Sequence, residues 1–234
     1  MSEQTWILDP TTGALVLDGM TAEEASALAG DLLPPARPIA CAQPVTVLPP
    51  PVVSDEEIAA SVCLRVGGYY HNSLIEGPGR RSVLKTQGCP LRCRGCIAQE
   101  TWAFNGGALV PVERLADILL DPAYDRDGVT ILGGEPFAQP DGLWALIQAL
   151  RARACAHILC YSGYTCEQLL RMSVRQPAIL HVLDNIDILI DGPYVASLAK
   201  AACPSTGSAN QRVIDLVATR RHGRVVLLNE HMFD

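Results

Sequence analysis

The sequence predicts an α/β fold with a mostly parallel sheet, preceded by an N-terminal extension of different texture. Three observations carry this expectation. Short apolar, strand-like runs alternate with segments of helical period through the second half of the chain. Several of those runs end directly in glycine-containing turns, where α/β proteins collect their functional groups. The chain has 234 residues of 49% apolar composition, enough for one domain with a sizeable core plus an appendage.

Taken in order, Trp6-Ile7-Leu8 and Leu15-Val16-Leu17 flank Thr11-Thr12-Gly13, the pattern of a small hairpin. A short helix is expected next, with Thr21 as N-cap and Glu24 closing a capping box. Pro34, Pro35, Pro38, Pro44, Pro49, Pro50 and Pro51 then forbid regular helix or central strand, so residues 1–52 read as an extension ending in an extended linker or arm. Residues 53–234 form the predicted core domain. Within it, strands are expected at 82–86, 129–132, 156–161 and 186–190, and helices at 112–120, 142–154 and 166–172. In the second of these helices Leu143, Leu146, Ile147 and Leu150 fall at i, i+3, i+4 and i+7, one buried face.

The net charge of −7 and pI near 5.2, without a basic stripe, argue against binding to nucleic acid through phosphates. No apolar run is long enough to cross a bilayer and the N-terminus lacks a signal-peptide pattern, so no membrane association and a cytoplasmic location are expected. Nine cysteines, an odd number, suit a reducing compartment rather than a disulfide framework.

Three of those cysteines lie within eight residues, in Gly88-Cys89-Pro90-Leu91-Arg92-Cys93-Arg94-Gly95-Cys96. Thiolates at CxxxCxxC spacing on a glycine- and proline-bearing loop can wrap one face of an iron–sulfur cubane, which needs four ligands. Only three are at hand, so one iron keeps an open position, the mark of reactive rather than structural metal sites. A zinc site is the competing reading, but zinc knuckles usually carry a fourth Cys or His close by, and His71 has no recommending spacing. Three unrelated core cysteines fit poorly in a loop rich in arginine and glycine.

Gly133-Gly134-Glu135-Pro136 begins 37 residues after Cys96, directly behind the strand at 129–132. Glycines there admit a ligand close to the backbone, and a carboxylate suits an ammonium group. Tyr161-Ser162-Gly163-Tyr164-Thr165 ends the next strand; Cys160, Tyr161 and Ser162 are candidate ligand contacts, and Thr165 is equally a helix N-cap. Asp191, in Ile190-Asp191-Gly192-Pro193-Tyr194, either binds hydroxyls of a ligand or braces its loop.

The cysteine spacing with its Gly-Gly-Glu turn resembles the radical S-adenosylmethionine (SAM) superfamily. More narrowly, Glu76-Gly77-Pro78-Gly79-Arg80-Arg81, Glu100-Thr101-Trp102, the turn at 133–136, Ser162-Gly163-Tyr164, the stretch 191–195 and Gly207-Ser208-Ala209-Asn210-Gln211 are similar to the activating proteins of anaerobic ribonucleotide reductase, over residues 67–214. The resemblance implies a partial (β/α)6 TIM-like barrel, open on one side. It implies one 4Fe-4S cluster on Cys89, Cys93 and Cys96, with SAM against Gly133, Gly134, Glu135, Pro136, Cys160, Tyr161, Ser162, Asp191 and Asn210. The implied activity is an oxidoreductase that cleaves SAM to a 5′-deoxyadenosyl radical and makes a glycyl radical on a partner enzyme. Flavodoxin or ferredoxin is the implied electron donor.

Three departures bear on the partner: the extra first half-hundred residues, Ile97-Ala98 where an aromatic and Asn commonly follow the third cysteine, and Ser205-Thr206 before Gly207. The alternatives are a radical SAM enzyme acting on a peptide or small metabolite, and an iron–sulfur module without turnover.

Overall fold

A computed structural model describes residues 6–8, 15–17, 46–201 and 205–228. The chain divides into two compact units, Met1–Pro44 and Val45–Asp234. In the first, β1 (Trp6–Leu8) pairs antiparallel with β2 (Leu15–Leu17) in the register Trp6↔Leu17 and Leu8↔Leu15, as the hairpin pattern anticipates. The expected turn at 11–13 and the helix after Thr21 lie outside the described residues.

The second unit opens with an extended, proline-bearing segment whose Leu48 pairs with Tyr69, the two exchanging N–H···O bonds of 2.7 and 3.0 Å. Ser54 then starts α1 (Asp55–Ala59), its hydroxyl and the Glu57 carboxylate forming a reciprocal capping box. β3 (Cys63–Ser73) alternates half-buried and buried residues, and β4 (Arg81–Thr86) runs antiparallel to it. β5 (Ala108–Pro111) pairs with the outer edge of β3, and α2 (Val112–Leu119) follows without a break.

β6 (Gly128–Gly133) lies parallel to β4, with Arg81 opposite Gly128 and Thr86 opposite Gly133. α3 (Pro140–Ala152) buries Leu143, Leu146, Ile147 and Leu150, as its period predicts. It begins two residues earlier than expected, because Pro140 occupies the first turn, where its missing N–H costs nothing. β7 (Ile158–Tyr161), α4 (Cys166–Ser173), α5 (Ala178–Asn185) and β8 (Ile188–Asp191) complete the parallel part. β7 starts two residues late because the carbonyls of Cys155 and Ala156 are taken by the Arg151 guanidinium, at 2.8 and 3.0 Å. β8 likewise starts at Ile188, after the Ile186 N–H has closed the last turn of α5 on Val182. β9 (Arg212–Asp215) returns antiparallel to β8, and α6 (Leu216–His222) ends at Gly223 in the left-handed region.

The sheet order is β5-β3-β4-β6-β7-β8-β9, with four parallel strands at the centre and antiparallel strands on both flanks. Leu84, Ile131, Cys160 and Leu189 share one face with Leu115, Leu146, Ile147 and Ile179 of the helices, forming the main core. Side chains alternate across a strand, so Thr130, Leu159, Tyr161 and Ile190 occupy the other face, where Leu159 and Ile190 form a second, smaller cluster. The result is the expected α/β class, a mixed seven-stranded sheet with four parallel strands where the expected (β/α)6 barrel has six strand–helix units, and residues 226–228 pair along the β9 edge. The four parallel strands finish at Thr86, Gly133, Tyr161 and Asp191, so the cysteine loop and the three predicted turns emerge at one edge.

Candidate active site

A cavity of about 520 Å³ opens at that edge. Cys89, Cys93 and Cys96 line it together with Gly133, Gly134, Glu135, Tyr161 and Ser162.

The cysteine loop needs unusual backbone. Gly88 has φ +94°, Gly95 φ +80°, and Arg92 stands at φ +46° despite its side chain. At Gly88 a Cβ would meet the Phe104 ring at 2.7 Å, so no other residue fits there without displacement. The loop is anchored from below by Gly88 N–H to the Thr101 carbonyl (2.8 Å) and Cys89 N–H to the Trp102 carbonyl (3.1 Å). It closes on itself through Cys96 N–H to the Cys93 carbonyl (3.1 Å), while the Ala98 N–H reaches the Cys96 sulfur at 3.4 Å. Burial pushes the Cys89 thiol pKa up, and the facing N–H groups of Arg92 and Leu91 pull against it.

The Gly-Gly-Glu turn packs on that loop through backbone. Gly134 N–H donates to the Thr86 carbonyl and Glu135 N–H to the Gly88 carbonyl, both at 2.9 Å. A Cβ on Gly134 would lie 2.5 Å from the Gly88 oxygen, which is why the close approach requires glycine. Glu135 is fully buried. Its Oε1 accepts from Phe137 N–H and the Ser162 hydroxyl, both at 3.0 Å, and its Oε2 from Gly163 N–H at 2.7 Å. Burial raises its pKa to about 7 against the lowering effect of those three donors. A carboxylate already in position at a cavity wall, with lone pairs to spare on Oε2, suits a cationic ligand.

The remaining predicted residues divide. Tyr161 and Ser162 line the cavity; Ser162 also holds Glu135, and the Tyr161 hydroxyl donates to the Ser205 carbonyl at 2.6 Å. Pro136, Cys160, Asp191 and Asn210 do not line it. Pro136 is buried at the start of a single 3-10 turn, and the Cys160 thiol faces the main core. Asp191 is fully buried and accepts Cys166 N–H at 2.6 Å and the Arg212 guanidinium on both oxygens. That guanidinium also binds Glu167, whose pKa it lowers to about 2. The bracing role weighed for Asp191 is thus the one its contacts serve. Asn210 donates to the Pro193 carbonyl at 2.7 Å. Thr165 caps α4 in a capping box with Gln168.

Residues that the sequence motifs did not assign to the ligand also line the cavity: Glu76, Ile75, Ile97, Tyr194 and Gln211. Gln211 sits beside the predicted Asn210 and ties two walls together. Its Oε1 accepts Gly207 N–H at 2.7 Å and its Nε2 donates to the Gly192 carbonyl at 3.0 Å. The signal was present, since Gln211 closes the Gly-Ser-Ala-Asn-Gln motif. Glu76 accepts from the Tyr70 hydroxyl at 2.9 Å and from Ser73, and burial raises its pKa.

Among the described residues, no three His, Cys, Asp or Glu side chains are gathered closely enough for a single metal ion.

A family described as "4Fe-4S single cluster domain" matches residues 75–214, a span that contains every residue lining the cavity. The anaerobic ribonucleoside-triphosphate reductase-activating protein of Salmonella typhimurium is 34% identical over 158 residues, 64% of this chain and 97% of that protein. Its counterpart from Escherichia coli is 32% identical over 152 residues, 62% of this chain and 94% of that one. The chain belongs to this family of radical SAM activating proteins. Within the family the kinship extends beyond one target: the pyruvate formate-lyase-activating enzyme of Clostridium pasteurianum is 37% identical over 95 residues, 39% of this chain and 40% of that enzyme. Among the described residues, no helix is long and apolar enough to cross a membrane.

Proposed function

We propose that the chain activates a glycyl-radical enzyme, most directly an anaerobic ribonucleotide reductase, through a 4Fe-4S cluster on Cys89, Cys93 and Cys96 and SAM bound beside it. The observation that carries this reading is the meeting, in one cavity, of a three-thiol loop with the preset carboxylate of Glu135. Bound there, cluster and SAM supply one-electron cleavage of the sulfonium and a 5′-deoxyadenosyl radical, the species that takes an α-hydrogen from a target glycine.

The chain's own residues do the positioning. The three thiols, ionised on binding iron, hold the cluster and leave one iron without a protein ligand. Glu135 takes the SAM amino group, and an ammonium placed there would restore its carboxylate against the burial that raises its pKa. Gly133 and Gly134 let the turn at the end of β6 pack on the backbone of Thr86 and Gly88, which sets Glu135 at the cavity wall. Tyr161 and Gln211 hold the loop carrying Ser205 and Gly207 as the far wall, limiting water at the reacting atoms. Flavodoxin or ferredoxin supplies the electron.

The test is anaerobic: reconstitute the cluster, add SAM, dithionite and an anaerobic ribonucleotide reductase, and follow 5′-deoxyadenosine together with the electron paramagnetic resonance spectrum. A glycyl doublet on the reductase is expected, lost in Cys89→Ser, Cys93→Ser and Cys96→Ser. Deoxyadenosine without a doublet would retire the activase reading and favour a peptide or small-molecule target. Deoxyadenosine from a cysteine variant would sink the cluster assignment.

A further inference from the structure

Resting on that reading, we propose that Arg92 and Arg94 form the docking contact for an acidic one-electron carrier protein. The two arginines alternate with the cysteines along the loop, and residues 87–98 contain no acidic residue in a chain of net charge −7. The cluster loop is therefore a local positive feature on an acidic molecule.

Both side chains are exposed, and among the described residues neither takes part in an ion pair or a side-chain hydrogen bond. Several arginines elsewhere are committed: Arg65 to Gly106, Arg81 to Thr130 and Val129, Arg151 to Asp187, Arg153 to Glu113 and Asp117, Arg212 to Asp191 and Glu167. Arg171, Arg175, Arg221 and Arg224 are exposed as well, but none of them lies in the cysteine loop or lines the cavity. The nearby Lys85 is likewise neutralised by Glu100 at 2.7 Å. Cys89, Cys93 and Cys96 line the cavity while Arg92 and Arg94 do not, so the loop presents thiols to the cavity and guanidiniums to solvent. Arg92 holds a left-handed backbone, φ +46°, that glycine would adopt more readily, yet the position carries a long cation.

An acidic carrier seated on these two cations has its redox centre next to the residues that hold the cluster. One electron leaves the reduced carrier, which is oxidised by one, and the cluster is reduced by one; no bond is made or broken. Opposite charge steers such an encounter and makes it sensitive to salt. The glycine-bearing target meets different chemistry, since the cavity lip carries the apolar Ile75 and Ile97, 71% and 93% exposed.

The experiment uses the full-length, anaerobically reconstituted protein with reduced flavodoxin as the probe. Wild type is compared with R94Q, with R92Q/R94Q, and with R171Q/R175Q as a charge-matched control on exposed residues outside the cavity. Stopped-flow cluster reduction and flavodoxin affinity are read at low and high salt. Photoreduced deazaflavin, an uncharged small reductant, drives deoxyadenosine formation in parallel. Expected is a fall of at least about tenfold in flavodoxin-driven reduction and affinity for R92Q/R94Q at low salt, with a smaller fall for R94Q. High salt should erase the differences, and deazaflavin-driven turnover should persist in R94Q. Unchanged flavodoxin kinetics, or an equal loss in R171Q/R175Q, would overturn the proposal. So would a loss confined to glycyl-radical formation, which would assign the arginines to the target protein. Loss of deazaflavin-driven turnover in R94Q would make them part of the cluster loop's integrity instead. A wild type that makes no deoxyadenosine with deazaflavin would fail at the earlier step, the radical SAM reading itself.

Discussion

Gly134→Ala tests whether the cysteine loop and the Gly-Gly-Glu turn act as one rigid body. The backbone at Gly134 is not left-handed, so alanine is conformationally acceptable and the entire cost is steric. An added Cβ would lie 2.5 Å from the Gly88 oxygen, 2.9 Å from its carbonyl carbon and 3.1 Å from its nitrogen. All three are backbone atoms, and none can rotate away. Relief requires the two loops to separate by roughly 1 Å to reach ordinary contact. That motion stretches the 2.9 Å bond from Glu135 N–H to the Gly88 carbonyl beyond hydrogen-bonding range. Overpacking costs about 1–3 kcal/mol and the lost bond about 1 kcal/mol, so the apo protein should lose about 2–4 kcal/mol. In urea this is a midpoint shift of roughly 1 M or more. The same separation moves Cys89 relative to Glu135, and a 1 Å misplacement costs on the order of 100-fold in rate. The assay pairs urea unfolding of the apo protein with dithionite-driven deoxyadenosine formation. Gly223→Ala is the control: nothing lies within 4 Å of its Cβ, and its φ of +66° costs about 1–2 kcal/mol without touching the cavity. A Gly134→Ala protein within about 0.5 kcal/mol of wild type, or with full deoxyadenosine formation, would refute the reasoning.

Two further outcomes follow from the same geometry. The Glu135 carboxyl has its pKa raised from 4.5 to about 7 in the fold, so apo stability is greatest below the unfolded value and declines as pH rises through the folded one. The decline is about 3 kcal/mol between pH 4.5 and 7; Glu135→Gln should abolish that slope in urea titrations and weaken SAM binding, and an unchanged slope would remove the buried charge from the account. Asp191→Ala leaves the buried Cys166 N–H unpaired and Arg212 with Glu167 alone and should cost about 1–3 kcal/mol, with SAM affinity of the folded protein held within about twofold by calorimetry. A tenfold loss of SAM affinity at unchanged stability would place Asp191 in the ligand site instead.

The parallel centre of the sheet was legible because its strands are short, apolar and closed by glycine turns, and because α3 repeats leucine and isoleucine at helical spacing. The flanking strands were not. β3 carries Gly67-Gly68 in its interior and mixes Arg, Tyr, His and Asn into its alternation, so its buried face is set by pairing with β4 and β5 rather than by composition. β5 and β9 have four residues each, too few for a period to register.

At the site, spacing located the motifs, but it could not sort residues within a motif into those facing a ligand and those building the frame. That division depends on which donors compete for each group. Asp191 ends a parallel strand just as Gly133 and Tyr161 do, yet Arg212 on the adjacent antiparallel strand β9 claims both its oxygens. Asn210 and Gln211 are neighbours in one motif; the Pro193 carbonyl takes the first, and the second spans Gly192 and Gly207 at the cavity wall. Glu135 belongs to the frame and, in the function proposed for the site, also meets the ligand; the lone pairs of its carboxylate allow both. Three protein donors fix the orientation of the carboxylate, and the capacity left on Oε2 is what a cationic ligand can use. Frame and ligand contact are therefore separable by substitution at Asp191, and inseparable at Glu135.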